Sequence, residues 1–228
     1  MQDAANRGDT DAQVILGDIY LTGEDVPQDF AEAAKWYRKA ADVGQATAQT
    51  QLGNMYHNGH GVPQDYAEAA KWYRKAADQG QASAQNNLGN MYGDGQGVPQ
   101  DYTEAFRWYR KAAEQGNVFA QTNLGSMYAL GKGVPQDYSE AARWTRRAAD
   151  QGIAKAQVKL GVMYAVGRGV PQDYVTAHMW TNLACAALLG DDQKTAARMR
   201  DEIAANMTSE QIAEAQRLAR EWKPVRAE

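Results

Sequence analysis

The sequence predicts an all-α solenoid of helix-turn-helix hairpins, closed at its C-terminal end by capping helices. Three observations predict it. The pair Leu16-Gly17 returns every 36 residues as Leu52-Gly53, Leu88-Gly89, Leu124-Gly125 and Leu160-Gly161. The string VPQD keeps that spacing from Val26 to Val170, as do Trp36, Trp72, Trp108, Trp144 and Trp180. Two stretches of helical apolar period also lie within each unit, separated by glycine-rich turns. Self-similarity at such a period marks a repeat architecture in which each unit buries its apolar face against its neighbours.

Five full units are expected at 9–44, 45–80, 81–116, 117–152 and 153–188. Before them, Ala4-Ala5-Asn6-Arg7-Gly8 matches Ala76-Ala77-Asp78-Gln79-Gly80, so residues 1–8 read as the tail of a partial repeat, either a truncation or an N-terminal half-repeat. Within the unit 45–80, Ala48, Leu52, Met55 and Tyr56 share one face of a first helix that should stop near Gly59, a residue suited to the left-handed conformation. Pro63 holds Val62 extended. Asp65 then opens a second helix, with Glu68 expected as its reciprocal capping-box partner. The pair recurs at Asp29/Glu32, Asp101/Glu104 and Asp137/Glu140, whereas the fifth unit has Asp173 with Thr176. Tyr66, Ala69, Ala70, Tyr73, Ala76 and Ala77 form the packing stripe of the second helix, with Trp72 beside it. After Leu188 the pattern ends, and 189–228 reads as capping helices over 191–206 and 208–222, the second opened by Thr208 and Gln211, followed by a tail from Lys223-Pro224. No linker or low-complexity segment interrupts the chain, which reads as one elongated domain.

Composition excludes several classes. With 24 Lys+Arg against 28 Asp+Glu among 228 residues, the formal charge of −4 offers no global attraction to nucleic acid or anionic lipid. The longest apolar run, Leu183 to Leu189, is far below the roughly 20 residues that a membrane helix needs. The lone Cys185 rules out an intramolecular disulfide framework and a cysteine metal site, leaving location open between cytoplasm and periplasm. The opening MQDAANRGDT has no basic-then-apolar signal pattern. The chain is therefore expected to be a soluble protein.

Units such as AQNNLGNMYGDGQGVPQDYTEAFRWYRKAAEQG, with L-G, G-x-G-V-P-Q-D and W-Y-R-K-A-A strings in register five times, resemble the Sel-1-like repeat family, relatives of the tetratricopeptide repeats. The tail TSEQIAEAQRLAREW resembles the ending of bacterial members. The resemblance implies a right-handed α/α superhelix and an adaptor or scaffold that holds a protein or peptide partner, with no cofactor. It implies two alternatives: an inhibitor or immunity partner of a secreted enzyme, and the β-lactam hydrolysis associated with a cysteine-rich branch. This chain lacks the paired cysteines of that branch.

Comparing the chain with itself separates fixed columns, needed for the fold, from varying ones, free for recognition. The varying columns of the first helix are Val14/Thr50/Asn86/Thr122/Val158, Asp18/Asn54/Asn90/Ser126/Val162 and Leu21/His57/Gly93/Ala129/Ala165. Their spacing puts them on one stripe, expected opposite the core and, as in related solenoids, lining a concave groove. The candidate groove residues are Thr50, Asn54, Asn86, Asn90, Thr122 and Ser126, with Gln51, Asn87 and Asn123 beside them. Asparagine amides donate and accept at once and so suit the backbone of an extended peptide.

The chain is expected not to be an enzyme: no HExxH, SxxK or GxSxG occurs. His57 and His60 could approach a metal with Asp94 or Glu24, but two histidines fall short of a zinc set, and loop histidines are the simpler reading. The G-x-G strings lack a preceding strand and are followed by an aspartate that repels phosphate, so they read as turn glycines. Cys185 sits in a column of alanines, as a small buried side chain, and His178 reads as a packing variant. The basic band from Lys35, Arg38 and Lys39 to Arg143, Arg146 and Arg147 is interleaved with Glu and Asp, so it is expected to be a solvated, ion-paired surface and nucleic-acid binding is disfavoured.

Overall fold

The structure, a computed structural model, describes residues 1–24 and 26–225; the last three residues of the expected tail lie outside the described residues. Short α1 (Gln2–Asn6) is followed by hairpins α2 (Thr10–Thr22) with α3 (Phe30–Asp42), α4 (Ala46–Asn58) with α5 (Tyr66–Asp78), α6 (Ala82–Asp94) with α7 (Tyr102–Glu114), α8 (Val118–Leu130) with α9 (Tyr138–Asp150), and α10 (Ala154–Val166) with α11 (Tyr174–Ala187). Two further helices close the order, α12 (Gly190–Ala204) and α13 (Ser209–Glu221). No strand occurs among the described residues. The chain divides into two compact units, Met1–Gln115 and Gly116–Glu228, where the sequence alone reads as one elongated domain. Contacts in a repeat array are local, so such a division needs no linker to mark it.

The fixed columns explain themselves in the turn. Gly59 ends α4 in the left-handed conformation, φ 72°. Two residues later Gly61 is also left-handed, and a Cβ there would lie 2.0 Å from the carbonyl oxygen of Phe30, so the loop rests directly on the start of α3. Gln64 then donates its amide to the carbonyl of His57, satisfying one of the last-turn acceptors of α4. The same bond joins Gln28 to Leu21, Gln100 to Gly93, Gln136 to Ala129 and Gln172 to Ala165.

Asp65 caps α5 through its carboxylate, which accepts from the Glu68 N–H at 3.0 Å. The reciprocal half of the expected capping box does not form. The Asp65 N–H instead donates to the carbonyl of Tyr56, the bond repeated from Asp29 to Tyr20, Asp101 to Tyr92, Asp137 to Tyr128 and Asp173 to Tyr164. Closure of the hairpin has taken the donor that the box required, and Glu68 turns outward to pair with Lys71. In the fifth unit Thr176 donates both its N–H and its hydroxyl to Asp173, so the cap survives the loss of glutamate. At α13 the donor is uncommitted and Thr208 and Gln211 form the full box. Replacing Asp65 by Ala should therefore cost about 1 kcal/mol in urea unfolding, while Glu68→Gln should leave stability within about 0.5 kcal/mol.

Hairpins stack through three devices. In the first compact unit a second-helix tryptophan joins its own hairpin to the one before it: Trp72 clusters with Ala33 and Tyr37 of α3 and with Leu52 and Met55 of α4, and Trp108 with Ala69 and Tyr73 of α5 and with Leu88 and Met91 of α6. A basic side chain one turn on lies over the indole, with Lys75 Nζ 3.9 Å from the Trp72 ring centre and Lys111 Nζ 4.3 Å from that of Trp108. The third device is polar. Buried Gln49 donates across the seam to the carbonyl of Ala41 in α3, and its own oxygen accepts at 2.8 Å from Gln79, at the end of its partner helix α5. Gln85 and Gln115 repeat the pattern in the first unit, while Gln151 reaches Gln121 in the second.

The C-terminal helices cover the last hairpin. α12 and α13 both pack on α11, burying Ala196, Ile203, Ala215 and Ala219. Trp222 meets Trp180 edge-on at 6.0 Å. Beyond the helix the Val225 N–H donates to the carbonyl of Asp150.

Candidate partner-binding face

The expected recognition stripe is deeper than its sequence spacing implies. Thr50 is only 5% exposed and Asn86 6%, both buried, and Thr122 is half-buried. The expectation that this column is wholly outward is corrected by the geometry of the first helix. α4 is flanked by both α3 and α5 and buries much more than one stripe. On the α5 side, Gly53 lets the Tyr73 ring lie so close that a Cβ would be 2.6 Å from it, and the buried arc widens to take in Thr50. The Thr50 hydroxyl is spent within the helix on the carbonyl of Ala46. Leu52, Leu88 and Leu124, the opposite face, are fully buried as expected.

The next column is half-buried and engaged. Tyr73 donates its hydroxyl to Asn54 Oδ1 at 2.7 Å, Tyr109 donates to Asn90 Oδ1 at 2.7 Å, and Tyr37 to Asp18 Oδ1 at 2.6 Å. Burial pushes the pKa of all three phenols up, with the Asp18 carboxylate adding to the effect at Tyr37, so each remains a donor throughout the ordinary pH range. Asn54 also accepts from Asn87 Nδ2 at 3.1 Å and donates to Gln51 Oε1 at 2.8 Å. In the first compact unit the structure thus brings Gln51, Asn54 and Asn87 into one hydrogen-bonded row, with Asn86 Nδ2 reaching Asn87 at 3.5 Å.

In the second compact unit Thr122 and Ser126 each donate a hydroxyl to the backbone one turn earlier, and Asn123 stands half-buried beside them. Ser126 also accepts from Lys159 Nζ at 2.9 Å. The sequence comparison overlooked a linked change. Tyr37, Tyr73 and Tyr109 share a column with Thr145 and Thr181. Where tyrosine stands, its partner column holds Asp18, Asn54 or Asn90; where threonine stands, it holds Ser126 or Val162. That paired substitution was visible in the repeat itself.

The other candidates are absorbed by the fold. His60 stacks on Phe30 and His57 meets Tyr66 edge-on. Among the described residues no three His, Cys, Asp or Glu side chains could hold one metal ion. Lys35, Lys71, Arg107 and Arg143 pair with Glu32, Glu68, Glu104 and Glu140 one turn before them. Arg38, Arg74 and Arg146 instead reach the hydroxyls of Tyr56, Tyr92 and Tyr164, with their guanidinium groups over those rings. Cys185 and His178 are buried. No described helix is long and apolar enough to cross a membrane.

Stacked helix pairs, a repeated turn that locks each hairpin and an interleaved tryptophan define a helical-repeat protein of the solenoid class. The chain belongs to the Sel1 repeat family, whose model matches residues 10–45, 46–81, 82–117, 118–153 and 154–187. Among solved structures it is similar to a protective antigen present in uropathogenic Escherichia coli strains, with a TM-score of 0.83 and 40% identity, over 96% of this chain and 47% of that one. It thus spans about half the length of that antigen. It is also similar to a Sel1 repeat protein from Oxalobacter formigenes, with a TM-score of 0.80 and 34% identity, over 95% of this chain and 89% of that one. An immunity protein from Pseudomonas aeruginosa shares the fold alone, at 20% identity and a TM-score of 0.54, over 95% of this chain and 84% of that one. No curated protein matches the chain significantly.

Proposed function

We propose that the chain is a non-enzymatic protein-protein interaction module, an adaptor or scaffold that holds a peptide or protein partner on the half-buried faces of its first helices. The observation that carries this reading is the anchored amide row. Tyr73 holds Asn54, and Asn87 is tied to Asn54, so the polar face is ordered before a partner arrives and little side-chain freedom is lost on binding. Amides fixed in this way suit the alternating donors and acceptors of an extended main chain. Thr50 and Asn86 form the wall beneath the row, Asn90 extends it, and Thr122, Asn123 and Ser126 supply the corresponding face of α8. Membership of the Sel1 family supports the reading, because such repeats typically serve as interaction scaffolds.

The test must spare the tyrosine anchors, since Asn54→Ala or Asn90→Ala would strip a buried phenol of its acceptor. The column of Asn87 and Asn123 offers the alternative, because Lys159 occupies it in the fifth unit and shows that a long basic side chain is accommodated. The double variant Asn87→Lys/Asn123→Lys should keep the wild-type melting temperature. It should lose a crosslinked or co-purified partner, with affinity falling at least about tenfold. A validated partner that binds the double variant as tightly as wild type would show that the face is wrongly assigned.

A further inference from the structure

Beyond the partner-binding reading, and without resting on it, the second compact unit contains a cavity. In units one to three the tyrosine ring lies on the helix glycine of its own hairpin: a Cβ on Gly17, Gly53 or Gly89 would be 2.5 to 2.7 Å from Tyr37, Tyr73 or Tyr109. In unit four the ring is missing. Thr145 takes its place against Gly125, where only the Thr145 hydroxyl would meet a Cβ so closely, at 2.7 Å. Thr145 and Gly125 line a cleft of about 580 Å³ between α8, α9 and α10, with Met199 of α12 on its wall. That volume is in the range of small-molecule sites, about 300 to 1,000 Å³.

Its chemistry is two-sided. Ala129, Leu130, Val158, Val162, Met163 and Met199 make most of the wall apolar. Two cations, Lys159 and Arg168, stand on the same lining, which contains no carboxylate. Lys159 spends one N–H on Ser126, and Arg168 lies over the Tyr138 ring at 5.0 Å. Neither is ion-paired among the described residues. The Lys159 side chain as a whole is exposed, yet its ammonium is crowded enough to lose hydration, which lowers its pKa. Both cations belong to columns that are otherwise different in the chain. Ile15, Gln51, Asn87 and Asn123 precede Lys159, and Glu24, His60, Gln96 and Lys132 precede Arg168. The Lys159 column is uncharged in the four earlier units, so the opening of the cavity and the arrival of that ammonium coincide in the repeat, whereas the Arg168 column already holds Lys132 one unit before.

We infer that this cleft is a binding site for an apolar small molecule bearing one carboxylate, of the size of a medium-chain fatty acid, with its tail along Val158, Val162, Met163 and Met199 and its head at Lys159 and Arg168. A tail of this kind displaces water from apolar wall, and a carboxylate head completes a charge-assisted pairing that the two cations lack.

The probe is decanoate, titrated below its micelle-forming concentration into the full chain, by calorimetry and by the NMR signals of the Met163 and Met199 methyl groups. Saturable binding with shifts at both methyls is expected. Thr145→Tyr restores the ring that units one to three carry, over a glycine already present. It should leave the melting temperature unchanged or raise it, while weakening decanoate at least about tenfold. Lys159→Asn and Arg168→Gln, which install residues found in the same columns, should each weaken decanoate by about tenfold while leaving decanol unaffected. Absence of saturable binding to wild type, equal affinity for Thr145→Tyr in a folded protein, or equal affinity for decyltrimethylammonium would each overturn the assignment.

Discussion

Trp108→Ala should lower the unfolding free energy by about 3 to 5 kcal/mol, the cost of deleting a large aromatic from a site that cannot collapse around the gap. The indole is 5% exposed and fills the space between two hairpins. Its neighbours there are mainly alanines, Ala69, Ala70, Ala76, Ala77 and Ala84, whose short side chains have no reach with which to occupy the void. The change also removes the surface on which the Lys111 ammonium and the Arg74 guanidinium rest, at 4.3 and 5.0 Å. Urea unfolding at unchanged m-value would register the loss as a lower midpoint. A change below about 1 kcal/mol would mean that the tryptophan is not the bolt between hairpins that its position makes it.

Gly97→Ala should be comparably severe, at about 2 to 5 kcal/mol, because two penalties add: about 1 to 2 for a non-glycine residue held left-handed, and about 1 to 3 for forced overpacking. Its φ is 68°, and a Cβ would lie 2.2 Å from the carbonyl carbon and oxygen of Tyr66. Backbone on both sides leaves nothing flexible to move aside. Gly80→Ala is the control. That residue is also left-handed, at φ 91°, but a Cβ there meets nothing within 4 Å, so only the conformational part, about 1 to 2 kcal/mol, should appear. If the two alanine variants melted together, close packing of the loop on the previous hairpin would be excluded as the reason for its second glycine.

Much of this architecture could be read from the chain because repetition supplies its own comparison. Leu52, Met55, Trp72 and Ala76 are buried where their fixed columns required, and Gly59 ends its helix in the expected conformation. Depth was harder to read. A helical stripe counts directions from one axis, whereas α4 is covered from two sides, so Thr50 and Asn86 sank into a region that periodicity assigned to solvent. Glu68, in the first turn of α5, departs from its expected role for a related reason. Its acceptor is set by the fold, and the Asp65 N–H had already been claimed by Tyr56 across the hairpin. The asparagines were chosen for their variability, but Asp18, Asn54 and Asn90 answer to Tyr37, Tyr73 and Tyr109. A column that varies in step with another is under structural constraint, even when neither residue is fixed.

The buried glutamines have a consequence for how such a chain changes length. Gln49 holds the carbonyl of Ala41 and Gln85 holds that of Ala77 with the same atoms at 3.1 Å, so each seam is interchangeable with the next. Deleting or duplicating one whole hairpin regenerates a seam already in use, whereas an insertion of any other size breaks it. Copy number is thereby the easiest coordinate for evolution to adjust, in increments of a single hairpin.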